Sequence, residues 1–245
     1  MISIKDQQNL FIEIAKRLPH EITAYAVGGT AMMFLGLKEA TKDIDLVFTN
    51  KEDRRIFKEA AISLGYKEMD SVIVYGAKNN PPEMLSLGDS RLDLFLFDVI
   101  DFAFSESMQK RAEQIHQFGK NLRIRIADVH DIIVMKCATK RAKDEEDVVA
   151  LAKTAEINWS ILVEEAKKQL ASGKETAILD LGNLLEKLKG RHKINVPKAV
   201  LNDVWSLLKK QIDKKAGWKA EQIAFALAKV KKKLRIREEK PKTAK

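Results

Sequence analysis

The chain has 245 residues, of which 45% are hydrophobic and 32% charged, the mix of a folded globular protein of about one and a half to two ordinary domains. That excludes a disordered or fibrous chain, and no stretch approaches the ~18 to 20 consecutive apolar residues of a spanning helix. The N-terminal MISIKDQQNLFIEIAKRL carries acids and no apolar block ahead of a small-residue cleavage site, so a cytoplasmic protein without membrane association is expected. Cys137 is the single cysteine, which excludes an intramolecular disulfide and a cysteine-cluster zinc site and fits a reducing compartment. The formal charge of +9 is unevenly divided: residues 187–245 hold 19 Lys and Arg against 5 Asp and Glu, a net of +14, which leaves residues 1–186 at −5. Such a basic segment serves either as an electrostatic footprint for nucleic acid or as a solvated helix surface.

In chain order, residues 4–18 form an amphipathic pattern with Leu10, Phe11, Ile14, Ala15 and Leu18 on one stripe. TAYAV (23–27) reads as a strand, Gly28-Gly29 as a turn and TAMMFLGL (30–37) as a short helix. DIDLVF (43–48) is a second strand, 51–64 a helix, VIVY (72–75) extended, and KNNPPEM (78–84) a loop marked by Asn and Pro. RLDLFLFDV (91–99) alternates clearly, with Leu92, Leu94 and Leu96 on one face and Arg91, Asp93 and Phe95 on the other. LRIRI (122–126) is a further strand, and Asp128 is placed to cap a helix over 128–140. After 144–154 the periodic segments are all helical: 158–170, 176–189, 197–214 and 219–236. The reading is therefore α/β (α+β), a mixed sheet flanked by helices over 1–155, followed by a basic all-helical domain over 156–238 and a frayed tail over 239–245.

The chemistry concentrates in AVGGTAMMFLGLKEATKDIDLVF, residues 26–48. A strand running into Gly28-Gly29 and then a helix leaves free backbone N–H groups at a phosphate-sized gap, although such a turn also serves for plain chain reversal. Asp43 and Asp45 lie two apart on a strand, so their carboxylates share a face while Ile44 points into the core. Carboxylates crowded in this way repel unless a cation lies between them, and hard oxygen donors select Mg²⁺ or Mn²⁺; a solvated strand face is the competing reading. Asp93 lies on the polar face of an otherwise apolar strand, and a neighbouring position would bring it beside Asp43 and Asp45. Asp98 is the fallback third acid, of opposite parity.

Taken together, Gly28-Gly29-Thr30, Asp43-Ile44-Asp45 after Thr41-Lys42, and Asp93 resemble the nucleotidyltransferase superfamily related to DNA polymerase β. Lys136, Thr139-Lys140-Arg141, Lys143-Asp144 and Asp147 are similar to an element of the AbiEii-type nucleotidyltransferases, a group that includes toxins of toxin–antitoxin systems. The resemblance covers residues 20–155. It implies that Asp43, Asp45 and Asp93 are catalytic and hold Mg²⁺ or Mn²⁺, with Asp93 also helping to activate the acceptor hydroxyl. It further implies that Gly28, Gly29 and Thr30, which is Ser in many members, hold the β- and γ-phosphates of a nucleoside triphosphate. Lys136 and Lys143 would neutralise phosphate charge, and Asp144 and Asp147 would orient that helix or contact the nucleotide. The competing reading of the last pair is helix-surface salt bridging, Lys140 to Asp144 and Lys143 to Asp147, with Glu145 and Glu146 also on the surface.

His20, His116, His130 and His192 lack metal-ligand spacing and read as structural or exposed, Cys137 as a packed core residue, and Trp159, Trp205 and Trp218 as anchors of the helical half. The function expected is metal-dependent transfer of an NMP from an NTP to an acceptor hydroxyl, at an RNA or tRNA 3′ end or on a protein, with pyrophosphate released. The basic half makes RNA a candidate partner, alongside a partner protein of a toxin–antitoxin pair. The rival is a catalytically idle module of the same fold that binds nucleotide, RNA or protein; a metal-dependent glycosyltransferase ranks last, because it leaves the glycine turn unexplained.

Overall fold

Residues 1–137 and 141–214, with residue 228, are described by the structure, a computed structural model. Strand β1 (Ile2–Ser3) leads into helix α1 (Ile4–Ala15) through a reciprocal capping box: the Ser3 hydroxyl accepts the Asp6 N–H and the Asp6 carboxylate accepts the Ser3 N–H. Phe11, Ile14 and Ala15 form the buried stripe of α1. Then come β2 (Ile22–Ala26), α2 (Gly28–Phe34), β3 (Ala40–Thr41), β4 (Ile44–Phe48) and α3 (Lys51–Ser63), whose Glu52 and Asp53 N–H groups donate to the Asn50 side chain. The second half of the sheet supplies β5 (Lys67–Met69), α4 (Val72–Tyr75), β6 (Glu83–Leu87), β7 (Ser90–Leu96), β8 (Asp98–Val99) and β9 (Phe102–Ala103). After α5 (Glu106–Arg111) and the hairpin β10 (Ile115–Phe118) and β11 (Leu122–Ile126), the chain turns helical. α6 (Val129–Lys136) carries the expected Asp128 cap, and α7 (Ala142–Thr154), α8 (Trp159–Ala171), α9 (Glu175–Gly190) and α10 (Lys198–Lys214) follow.

The strands form one mixed sheet in the order β10-β11-β2-β4-β7-β6-β5, with β8 and β9 folding back beside β7, while β1 and β3 pair separately. β11 runs parallel to β2 and β4 runs parallel to β7; the other neighbours are antiparallel. The central strands are buried on both faces, which is why Leu46, Val47 and Phe48 follow one another without a polar residue between them. Among the described residues no helix is long and apolar enough to cross a membrane.

Three expectations change. VIVY is a single helical turn rather than a strand: Asp70 accepts the Val72 N–H at 2.9 Å, Gly76 ends the turn at φ +61°, and Val72, Ile73 and Val74 stay exposed without a strand partner. Its β-branched residues favour a strand only where a neighbour covers them. The strand over 91–99 breaks at Phe97, which adopts φ +61° and lets β8 fold back on β7. Asp98, the fallback acid, accordingly points to Asn80 and Lys174. α2 starts at Gly28, two residues before Thr30. The helix expected over 219–236, the tail over 239–245 and Trp218 lie, but for residue 228, outside the described residues.

The helices after the sheet are tied to it by polar groups as well as by packing. Arg111 of α5 bonds Asp131 of α6 and Glu165 of α8, and Ser107 donates to the same Glu165. Burial pushes the Asp131 carboxyl up to about 6 in spite of Arg111. The Gln169 side-chain amide accepts the Ala103 N–H at 2.9 Å and donates to the Ala103 carbonyl at 2.8 Å. Further along, Trp205 is buried against Gly182, where an added Cβ would come within 2.7 Å of the ring. Trp205 thus anchors the helical half as expected.

Candidate functional site

The site is assembled by the pairing of two parallel strands. In the register of β4 on β7, Asp45 lies opposite Asp93, and Asp43 precedes β4 by one residue. Side chains at paired positions on neighbouring strands share a face, so one oxygen from each of Asp43, Asp45 and Asp93 falls within 4.8 Å of the others. The three acids named from the sequence are brought together. Burial holds the Asp45 carboxyl well above the usual carboxylate range and Asp43 and Asp93 push it further, against Lys136 and Arg91. Asp93 is also raised by burial, while Arg91 and Tyr75 pull it down through the bonds they donate.

The glycine turn packs directly on these acids. Val27 N–H bonds the Asp45 carbonyl at 3.1 Å, which docks the start of α2 on β4. Gly28 has φ +54°, and a Cβ there would meet Asp45 Oδ2 at 2.6 Å; a Cβ on Gly29 would meet the Thr41 hydroxyl at 2.5 Å. Glycine is thus required at residue 28 both for its backbone and for the closeness of the carboxylate. Gly28→Ala is expected to lose about 1–3 kcal/mol of stability from backbone strain alone and to displace the Asp45 side chain; urea unfolding checks it, and an unchanged midpoint would contradict the packing. Thr30 is placed differently. Its buried hydroxyl accepts the Asp45 N–H at 2.9 Å, so its side chain holds the strand and does not line the cleft.

The cleft beside the acids has a volume of about 300 Å³. It is lined by Gly28, Gly29, Asp43 and Asp45, by the cations Lys38, Lys42, Lys136, Arg141 and Lys143, and by an apolar set of Tyr75, Phe95, Val99, Ile100 and Met135. Lys136 and Asp147 both reach it, but in partnership: the Lys136 ammonium bonds Asp144 at 3.0 Å and Asp147 at 2.6 Å, and Lys38 bonds both Asp147 oxygens at 2.8 Å. Asp144 is also bonded by Arg141 at 2.8 Å. Asp147 is thus paired across elements, with Lys136 and Lys38, where the i,i+4 reading gave it Lys143; Lys140, the other lysine of that reading, lies outside the described residues. Burial pulls Lys136 down, but Asp144 and Asp147 outweigh it and its ammonium titrates above its ordinary value. Lys143 is exposed at the rim. Glu146 is exposed as expected, but Glu145 is largely covered, bonded by Lys187 of α9 and His192 of the turn after it.

A family model described as a nucleotidyltransferase of unknown function (DUF6036) matches residues 8–189. The chain belongs to this family. The match runs from α1 into the last turn of α9 and so takes in the carboxylates, the glycine turn and the lysine helix. No curated protein matches the sequence. Nucleotidyltransferases usually work with a divalent metal, and the Asp43, Asp45 and Asp93 cluster of this one could hold such an ion, three hard oxygen donors converging from two strands and the segment before them.

Two residues the sequence reading passed over sit on the carboxylates. Arg91 bonds Asp93 through Nε at 2.9 Å and Nη2 at 3.0 Å, and the same Nη2 bonds Asp43. The Tyr75 hydroxyl donates to Asp93 Oδ2 at 2.6 Å, its ring edge-on to Phe95. Arg91 was within reach of sequence reasoning, since it shares the parity of Asp93; Tyr75 was hidden by the strand assignment. The histidines behave as structural or surface groups: His130 bonds Asp128 and accepts the Asn158 N–H, and His116 stacks on Phe34. Cys137 is buried, and burial pushes its thiol up, as for a packed residue.

Proposed function

We propose that the protein transfers a nucleoside monophosphate from a nucleoside triphosphate to an acceptor hydroxyl, with Asp43, Asp45 and Asp93 as its catalytic carboxylates. The observation that carries this reading is the convergence of the three acids, two of which, Asp43 and Asp45, line a cleft that is also lined by Lys and Arg. The acceptor oxygen attacks the α-phosphorus, the bond from that phosphorus to the bridging oxygen breaks, and pyrophosphate leaves; Asp93 takes the hydroxyl proton. Asp43, Asp45 and Asp93 would hold Mg²⁺ or Mn²⁺, which would supply charge neutralisation for the attacking and leaving oxygens. The backbone at Gly28 and Gly29 approaches the phosphates, as their missing side chains allow. Lys143, Lys42 and Arg141 draw the triphosphate in, and Lys136, with Asp147 and Lys38, fixes the wall against which it lies. The apolar wall of Tyr75, Val99, Ile100 and Met135 suits the base.

In this reading residues 1–155 form the catalytic unit and the helices from 156 onward a basic accessory unit. The +14 of residues 187–245 favours a polyanionic acceptor such as RNA over a cationic small molecule; a partner protein of toxin–antitoxin type is the other candidate. The test is incubation with each of the four α-labelled nucleotides, Mg²⁺ or Mn²⁺, and total RNA or lysate protein. Label on one of these fractions with stoichiometric pyrophosphate is the expected result. Nucleotide binding without transfer of any label would favour the idle module instead.

A further inference from the structure

We infer that the Arg91 guanidinium is the resting occupant of the carboxylate cluster, and that a divalent cation enters by displacing it from Asp43 and Asp93. The inference rests on the metal-binding reading above and deepens it. β7 places Arg91 two residues before Asp93 on the same face. From there its planar fork takes both oxygens of Asp93, at 2.9 and 3.0 Å, and reaches Asp43 with the same Nη2. Tyr75 adds a third bond to Asp93, at 2.6 Å on Oδ2. Asp93 is completely buried, so these donors are what compensates its charge in the absence of an ion.

The same oxygens cannot serve both occupants. Oδ2 of Asp93 already accepts Arg91 and Tyr75, which uses both of its lone pairs, and Oδ2 of Asp43 accepts Arg91. An ion that takes Oδ2 of Asp93 must therefore take the place of one of its two donors. Of the two donors it is Arg91 that yields. Tyr75 is neutral and tolerates a neighbouring cation, whereas a guanidinium within a few ångströms of a divalent ion is repelled. Arg91 also has somewhere to go: its side chain is 21% exposed, while that of Asp93 is 0% exposed. A single positive charge bonded to Asp43 and Asp93, with Asp45 as a third carboxylate beside them, is moreover the weaker counter-ion, so exchange for a divalent ion is favourable once that ion is available. The cluster is thereby held together without metal, and part of the intrinsic metal affinity is spent on ejecting the arginine.

Isothermal titration of the full chain with Mn²⁺, without nucleotide, tests this. Arg91→Met keeps the length of the stem and removes the competitor; it is expected to bind Mn²⁺ roughly 10- to 100-fold more tightly than the parent, the equivalent of a lost charge-assisted competitor. In EDTA it should melt below the parent, with Mn²⁺ raising its Tm by more than it raises the parent's. Arg91→Lys retains the charge and loses the fork, so it serves as the second variant if Arg91→Met fails to fold, and it should also bind Mn²⁺ more tightly than the parent. Equal or weaker Mn²⁺ binding by the folded variants, with the parent binding normally, would overturn the inference and leave the metal site standing. Absence of Mn²⁺ binding from the parent and both Arg91 variants, or an Asp45→Asn protein that binds as the parent does, would remove the metal site and the inference with it.

Discussion

Asp45→Asn should lower nucleotidyl transfer by about a thousandfold or more, equivalent to roughly 4 kcal/mol of transition-state stabilisation, and at the same time raise the melting temperature. The two effects have one cause. Asp45 is the acid of the three whose ionised form is most opposed by its surroundings: burial raises its carboxyl first, and Asp43 and Asp93 raise it further. A carboxyl that titrates above its ordinary value in the folded state stabilises the fold while protonated, and that contribution is lost as pH rises through the folded value. The neutral amide escapes that loss. The Tm advantage of Asp45→Asn over the parent should therefore be absent in acid and grow towards neutral pH, at about 2–4 °C per kcal/mol for a chain of this size. Calorimetry from acid to neutral pH in EDTA, set beside the transfer assay, measures both. A variant that keeps full transfer would end the catalytic assignment, and a Tm that drops at neutral pH would show that Asp45 ionises without strain. Asp93 is a poorer choice for this experiment, because its removal also frees Arg91 and Tyr75.

Lys136→Met carries the second large effect, and this one falls on folding. The ammonium joins Asp144 and Asp147 inside the wall of the cleft, with the Lys side chain 7% exposed and those of its partners 6% and 13%. Removing one member of a buried ion-paired set leaves the remaining charges undercompensated, a loss of about 3 kcal/mol, which lowers Tm by roughly 6–12 °C at the same scaling. Arg141 and Lys38 remain on the two aspartates and keep the loss from being larger. Lys143→Ala should behave in the opposite way, with an unchanged Tm and weaker nucleotide binding, since Lys143 is exposed at the rim. Urea unfolding without nucleotide, followed by nucleotide titration, separates the two. A Lys136→Met protein as stable as the parent, with reduced affinity only, would return Lys136 to a purely phosphate-binding role.

The comparison of these two residues shows what the sequence could convey. Asp45 and Asp93 were legible because strand geometry has a period of two, so that parity alone places a carboxylate on a face; the β4 and β7 register then does the rest. The strand–turn–helix around Gly28 was legible for a similar reason, since few residues tolerate that backbone. Lys136 and Asp147 were both singled out, but their pairing with each other was not, and Asp147 was given Lys143 as its neighbour. Pairing on an isolated helix follows i,i+4 spacing, whereas here Lys136 arrives from α6 and Lys38 from the segment after α2, and nothing local encodes that meeting. Tyr75 was missed because VIVY has the composition of a strand and lacks a strand partner, which only the assembled sheet reveals. The strands β6 and β10 went unseen because each leans on a neighbour, β7 or β11, for its pattern.

The amide of Gln169 has a consequence away from the cleft. Among the described residues β9 pairs only with β8, so its outer side is a sheet margin, and such margins recruit extended segments from other molecules. By taking both the N–H and the carbonyl of Ala103, the Gln169 side chain behaves like the backbone of one further strand residue and ends the ladder there. Helix α8 thus does more than pack on the sheet: it withdraws these backbone groups from intermolecular strand addition, and the chain gains protection against self-association from one glutamine.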